Sequence, residues 1–160
     1  MAAAALVAAA QEGVGDMKHQ AFTDQLQNEQ IVAAIRATEA KTSGEIRVFI
    51  SRNETSDPLA AAQAEFTRMG MTNTAEHNGV LIFVAPRSQK FAILGDKGIH
   101  ARCGENFWRE VAEQMTAHFR KSEFTEGIIS AIQKAGTLLA EHFPRRTDDK
   151  NELSDAVERD

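Results

Sequence analysis

The run Val80-Leu81-Ile82-Phe83-Val84-Ala85 constrains this chain more than any other segment. Six apolar residues in succession leave no polar face, whichever way the side chains alternate. β-Branched and aromatic types dominate and Gly79 precedes them, so the segment predicts a strand rather than a helix. A strand without a polar face needs cover on both sides, which helices flanking a sheet provide.

The rest of the pattern supplies those helices. Leu26, Ile31, Ala34, Ile35 and Thr38 predict a helix over about Asp24 to Thr42, with Gly44 as a left-handed stop. Glu45 to Ser51 places Ile46, Val48 and Ile50 on one face and predicts a strand. Asp57-Pro58 is an N-cap followed by proline at the first helical position. The helix it opens buries Leu59, Ala62, Phe66 and Met69 and stops at Gly70. Pro86 to Gln89 carries turn chemistry, and Phe91 to Leu94 predicts a strand returning antiparallel. Two amphipathic helices follow, one on Trp108, Val111, Met115 and Phe119, the other on Phe124, Ile128, Ile132, Ala135, Leu139 and Phe143. A strand–helix–strand unit demands a right-handed crossover and a parallel pair, and the hairpin adds an antiparallel strand. The fold class is therefore α/β, a three-layer α/β/α sandwich over a small mixed sheet with helices on both faces.

At 160 residues, with 42% apolar and 26% charged side chains, the chain has the make-up of one soluble globular domain. It divides into an alanine-rich extension (1–20), the domain itself (21–144) and a charged tail (145–160). Met1 to Ala10 is too short to cross a bilayer, which takes about 20 apolar residues. It reads as a helical or frayed terminus, the alternative being a cleaved export signal, although no Lys or Arg precedes it. The expected location is cytoplasmic, or exported if that alternative holds. No other apolar run is longer than Val80 to Ala85, so no transmembrane segment is predicted, which leaves peripheral membrane association open. Arg145 to Asp160 is too polar to offset its ordering entropy and reads as a mobile or lightly docked tail, with partner binding as the alternative. The net charge is −5 and no basic stripe appears, so nucleic-acid backbone binding has no electrostatic source. The single cysteine, Cys103, cannot form an internal disulfide.

Cys103, five residues, then Arg109 has the spacing of cysteine-dependent phosphatases, in which a thiolate attacks phosphorus and arginine clamps the oxygens. Glu105-Asn106-Phe107-Trp108 argues against it, because a phosphate cradle needs small residues there. A small half-buried thiol is the plainer reading. His100, Cys103 and His118 lack the paired spacing of a zinc site, and His77 and His142 look ordinary. The loop Gly95-Asp96-Lys97-Gly98-Ile99-His100 is more informative. With the first two strands parallel and the third antiparallel, it falls at the sheet edge where Glu45 begins. Glu45 and Asp96 could then approach, with Glu39 and Glu105 as further carboxylates, an oxygen set suited to Ca²⁺ or Mg²⁺. The plain alternative is a turn with unrelated surface acids.

Several stretches, in this order, resemble the TPM domain. They are Ala34-Ile35 through Glu39, Thr42-Ser43-Gly44-Glu45-Ile46-Arg47-Val48, and Asn78-Gly79 through Ala85-Pro86. Gly95-Asp96-Lys97-Gly98-Ile99-His100 and Phe124-Thr125-Glu126-Gly127-Ile128 continue the match, which covers about Leu26 to Phe143. The chain resembles a compact, soluble, short bacterial branch of the family, and the resemblance implies a Rossmann-like sandwich and, for some members, divalent-cation binding and a proposed acid phosphatase activity. Many members carry a signal peptide and membrane anchor and act near membrane-protein assemblies. The family loop usually reads Gly, aromatic, Gly, Leu, Glu, with an aspartate soon after. Here Asp96-Lys97 replaces the aromatic, His100 stands where the acid would be, and Glu105 falls near the aspartate. A metal site would therefore use Asp96, Glu45 or Glu105, with His100 as a fourth ligand. The leading expectation is a small accessory or binding module without robust catalysis. The alternatives are a divalent-metal-dependent acid phosphatase and a tail-mediated interaction module. Neither protein partner nor oligomeric state is legible.

Overall fold

The computed structural model describes residues 26–74, 76–102, 105–145 and 157–159. The first helix, α1, spans Asn28–Glu39, and the first strand, β1, follows at Glu45–Ile50. Next come α2 (Pro58–Arg68), a 3₁₀ turn at Met71–Asn73 and β2 (Gly79–Ala85). A second 3₁₀ turn (Pro86–Ser88) leads into β3 (Lys90–Gly95). Three helices follow, α3 (Lys97–Arg102), α4 (Glu105–Arg120) and α5 (Phe124–His142), and the short strand β4 (Val157–Arg159) comes last.

The strand order is β3-β2-β1-β4. β1 and β2 are parallel, with Val48 opposite Ile82, and β2 and β3 are antiparallel, with Ile82 opposite Ile93. Alternation along the strands splits the core in two. Val80, Ile82 and Val84 of β2 join α1, α4 and α5 on one face. Leu81, Phe83 and Ala85 join Ala62 and Phe66 of α2, and Met71, on the other. Phe49 stacks on Phe83 at 5.7 Å within this second layer. The α/β/α sandwich is thus the architecture, and the apolar hexapeptide is its middle.

Local chemistry accounts for the element ends. Asp57 accepts at Oδ1 from the Ala60 N–H (3.1 Å), capping α2 ahead of Pro58. Gly70 ends that helix in the left-handed region, φ 73°. The sequence-based start of α1 at Asp24 lies outside the described residues. Its other end differs: α1 stops at Glu39 and Gly44 is not its left-handed cap. A Cβ at Gly44 would instead meet Leu139 Cδ1 at 3.0 Å, so this glycine serves a close approach to α5. The turn between α1 and β1 is clamped to the end of α5, because Ser43 N–H and Thr42 Oγ1 both donate to the Phe143 carbonyl. Leu59 and Met69 are only partly buried against their core layer.

One segment departs further from the sequence-based reading, and a second, read as mobile or lightly docked, has a described stretch that is docked. The stretch after β3, expected as a loop through His100, enters a short helix at Lys97. The Asp96 side chain accepts from the Lys97 N–H (2.8 Å), its carbonyl from Ile99 N–H, and Ile99 is fully buried. Two flanking glycines disguise a helix this short. In the charged tail, Val157–Arg159 pairs with β1 in parallel, with Val48 opposite Val157 and Ile50 opposite Arg159. The alanine-rich extension lies outside the described residues, and no described helix is long and apolar enough to cross a membrane.

Gly136 is where α1 and α5 touch. A Cβ there would fall 2.2 Å from Thr38 Cγ2. Gly136→Ala should therefore destabilise by about 1–3 kcal/mol, the usual cost of overpacking. Each kcal/mol lowers the melting temperature by about 2–4 °C in a domain of this size. Adding Thr38→Ala should restore most of the loss, and calorimetry of the four-member double-mutant cycle measures the coupling.

Candidate functional site

The amino ends of β1 and β2 and the carboxyl end of β3 meet at one edge of the sheet. Glu45 opens β1 opposite Gly79, and Val80 pairs with Gly95. One step further along the register sets Asp96 beside Gly79, to whose carbonyl its N–H donates (2.9 Å). Residues directly opposite across a sheet share a face. Glu45 and Asp96 therefore flank Gly79 on the α2 side, two strand spacings apart, or about 9.6 Å between Cα positions. The gap over Gly79 is not open: Met71 Cε and the Met71 carbonyl would lie 3.4 Å from a Cβ placed there. The two carboxylates share an edge and a face, with Met71 packed between them.

These acids are not surface groups. Glu39, Glu45 and Asp96 are 6%, 2% and 2% exposed, so the reading of unrelated surface carboxylates does not hold for them. A buried carboxylate is costly unless hydrogen bonds or cations compensate it. Glu39 Oε2 accepts from the Ile46 N–H (2.9 Å), which ties it to the backbone of β1. Asp96 Oδ1 accepts from Lys97 N–H, while its buried Oδ2 has no hydrogen-bond partner within the described structure. His77 Nδ1 lies 3.6 Å from Oδ2, beyond a hydrogen bond.

His77 is the residue that sequence reasoning missed. It looked ordinary because nothing in its neighbours along the chain marks it. Its backbone is left-handed (φ 52°), a conformation in which His is enriched among non-glycine residues. That turn presents its carbonyl to the Gly98 N–H (2.9 Å), while the ring reaches toward Asp96. Gly98 is obligatory for the contact, since a Cβ would sit 2.3 Å from the Glu76 carbonyl oxygen and 2.6 Å from that of His77. Beside it, Ser43 Oγ donates to Glu76 Oε2, and Asn78 Nδ2 donates to Ser43 Oγ (3.2 Å). The edge is thus a polar patchwork assembled from three separate turns.

The remaining candidates lie along the next two helices. His100 sits in α3 and Glu105 opens α4, but both side chains fall outside what the structure describes, as do Cys103 and Gly104. Arg109 donates from Nη1 to Asn106 Oδ1 (3.3 Å) on its own helix. His118 lies far along α4, its Nδ1 3.0 Å from Glu123 Oε1. Among the described residues, no three His, Cys, Asp or Glu side chains are grouped to hold a metal ion.

The chain matches the family model of the TPM domain over residues 17–138. Among solved structures it is similar to the NMR structure of BA42 protein from the psychrophilic bacterium Bizionia argentinensis. The two are 38% identical with a TM-score of 0.78, over 83% of this chain and 92% of that one. The search of curated proteins returned no match. The matched region holds β1 to β3 and the buried acidic edge alike, and this chain belongs to the TPM domain family.

Proposed function

We propose that this TPM domain is a small accessory or binding module that takes a hard divalent cation at its acidic edge and has no robust catalysis of its own. The observation that carries the reading is Asp96, whose buried Oδ2 lacks a hydrogen bond. A carboxylate oxygen held dry and unsatisfied fits an oxygen-seeking cation such as Ca²⁺ or Mg²⁺. Asp96 would anchor the ion, with further oxygens from Glu45 or Glu105 and His100 as a softer neighbour. Met71 over Gly79 means that Glu45 would join only through a shift of that side chain or a bridging water. A bound cation would offset the cost of burying the carboxylates. The binding free energy would then hold the turns at Asn78 and Asp96 together, giving the module a cation-set surface for protein partners near membrane assemblies.

A second reading is a divalent-metal-dependent phosphohydrolase, supported by the phosphatase designation of the family model. The ion would there screen the carboxylates from an anionic ester and polarise its phosphoryl oxygen. The chain's own part would be to place Asp96 and to bind the ester at the same edge.

Thermal denaturation with Ca²⁺, Mg²⁺ or Mn²⁺ tests the first reading. The midpoint should rise with the logarithm of metal concentration, by about 2.7 kcal/mol of added stability at one hundred times Kd. Asp96→Asn keeps the acceptor for Lys97 N–H and should abolish the rise. A wild-type midpoint that ignores millimolar metal overturns cation binding. Hydrolysis of p-nitrophenyl phosphate separates the two readings. No metal-dependent turnover is expected, whereas turnover lost in Asp96→Asn and kept in Cys103→Ser would establish the metal phosphohydrolase instead.

A further inference from the structure

The outer edge of β1 is where the described end of the tail, Val157–Arg159, meets the sheet. Arg47, in mid-strand, is 5% exposed and points to the same face as Phe49. An arginine this deeply buried needs a carboxylate, and Glu158 of β4 supplies one, with Nη2 to Oε1 at 2.8 Å. Val157 packs against the larger core layer, and Arg159 donates from Nη2 to Asn28 Oδ1 (3.1 Å) at the start of α1. The adjoining part of the edge is closed differently, by the Glu39 carboxylate on the Ile46 N–H. Among the described residues, the added strand serves Val48–Ile50.

The two sides of this contact are unequal. The slot is part of the sheet's core: every residue of β1 is buried and β2 braces it from behind. The occupant is three residues long, its glutamate side chain is 36% exposed, and it lies beyond the family match that ends at 138. Strand addition draws affinity from main-chain hydrogen bonds and specificity from side-chain pockets, so any segment of matching pattern can use the same slot.

We propose that the β1 edge is a docking slot for an extended segment of another protein, running parallel to β1 with an apolar residue followed by a carboxylate, and that Val157–Arg159 is the chain's own exchangeable occupant. The apolar residue takes the place of Val157 and the carboxylate pairs with Arg47. The proposal is independent of cation binding, since the slot lies along the lateral edge of the sheet and the acidic site at its end.

The test uses the full-length chain and a fluorescent peptide carrying the sequence Ser154 to Asp160. Glu158→Lys in the protein should release its own strand, seen as faster amide hydrogen exchange at Val157–Arg159 and Val48–Ile50. When an occupant fills the slot 90–99% of the time, its removal tightens apparent affinity by about 10–100-fold. The peptide should therefore bind the variant at least about tenfold more tightly than the wild type by fluorescence anisotropy. The same peptide with Lys at the Glu158 position should not bind. Val157→Asp is the second variant, because it unseats the strand while keeping the acid that pairs Arg47. Absence of binding to both released variants, or equal binding to variant and wild type, overturns the proposal. A wild-type dimer that Glu158→Lys converts to monomer also overturns it, because the occupant would then be a second copy's tail.

Discussion

Burial of β2 on both faces and pairing on both edges is the constraint from which the rest follows. Its seven residues are all buried, with alternate side chains committed to opposite layers. At about 1.5–3 kcal/mol for each large apolar side chain taken from water, the strand is stabilising only if both helical layers exist. Neither layer is optional. A parallel neighbour requires a crossover helix, which α2 provides, and the antiparallel return through Pro86–Ser88 brings β3 to the free side. The central strand thereby dictates where β1 begins, where β3 ends, and so which polar residues stand at the sheet's edge.

That edge concentrates unfavourable chemistry at one place. The buried carboxylates of Glu45 and Asp96 flank Gly79, and a left-handed histidine and a glycine pressed against two carbonyls stand in the adjoining turns. Each departs from what stability alone would favour, and such departures cluster where a protein binds something. The location is unusual, because ligands of open α/β sheets commonly bind outside the carboxyl ends of parallel strands. Here the acids gather at the amino ends of β1 and β2. At the opposite end, Thr55 N–H donates to Ser88 Oγ, Lys90 Nζ to the Ser56 carbonyl and Arg87 Nη1 to the Arg52 carbonyl. Those donors are spent on closing loops, and the acidic end has the unsatisfied oxygen.

The lateral edge of β1 follows a related logic. An open strand edge invites unwanted pairing, and this protein covers it in two pieces. A side chain from α1 closes one piece and a strand from the far end of the sequence closes the other. Arg47 makes the second piece selective, because a buried guanidinium left without an acid would cost far more than a lost surface contact. Strand addition at this edge therefore carries a charge requirement as well as a hydrogen-bond pattern.

Sequence alone determined the order of the main elements, the parallel and antiparallel pairing, the N-cap at Asp57 and the left-handed stop at Gly70. All of these rest on periodicity or turn chemistry confined to a few neighbouring residues. It also put Glu45 and Asp96 at one edge, since strand direction follows from connection type. What lay beyond it were features made by residues distant along the chain. Nothing near His77 announces that its ring will face Asp96, and nothing near Gly44 tells a helix stop from a close approach to Leu139. The tail shows the limit most clearly. Val157-Glu158-Arg159 has no local reason to be a strand and becomes one because β1 offers an unpaired edge and a buried arginine more than a hundred positions earlier. Local hydrogen bonding and hydrophobic period are written in adjacent residues, whereas burial of a charge and closure of an edge exist only once the chain has folded back on itself.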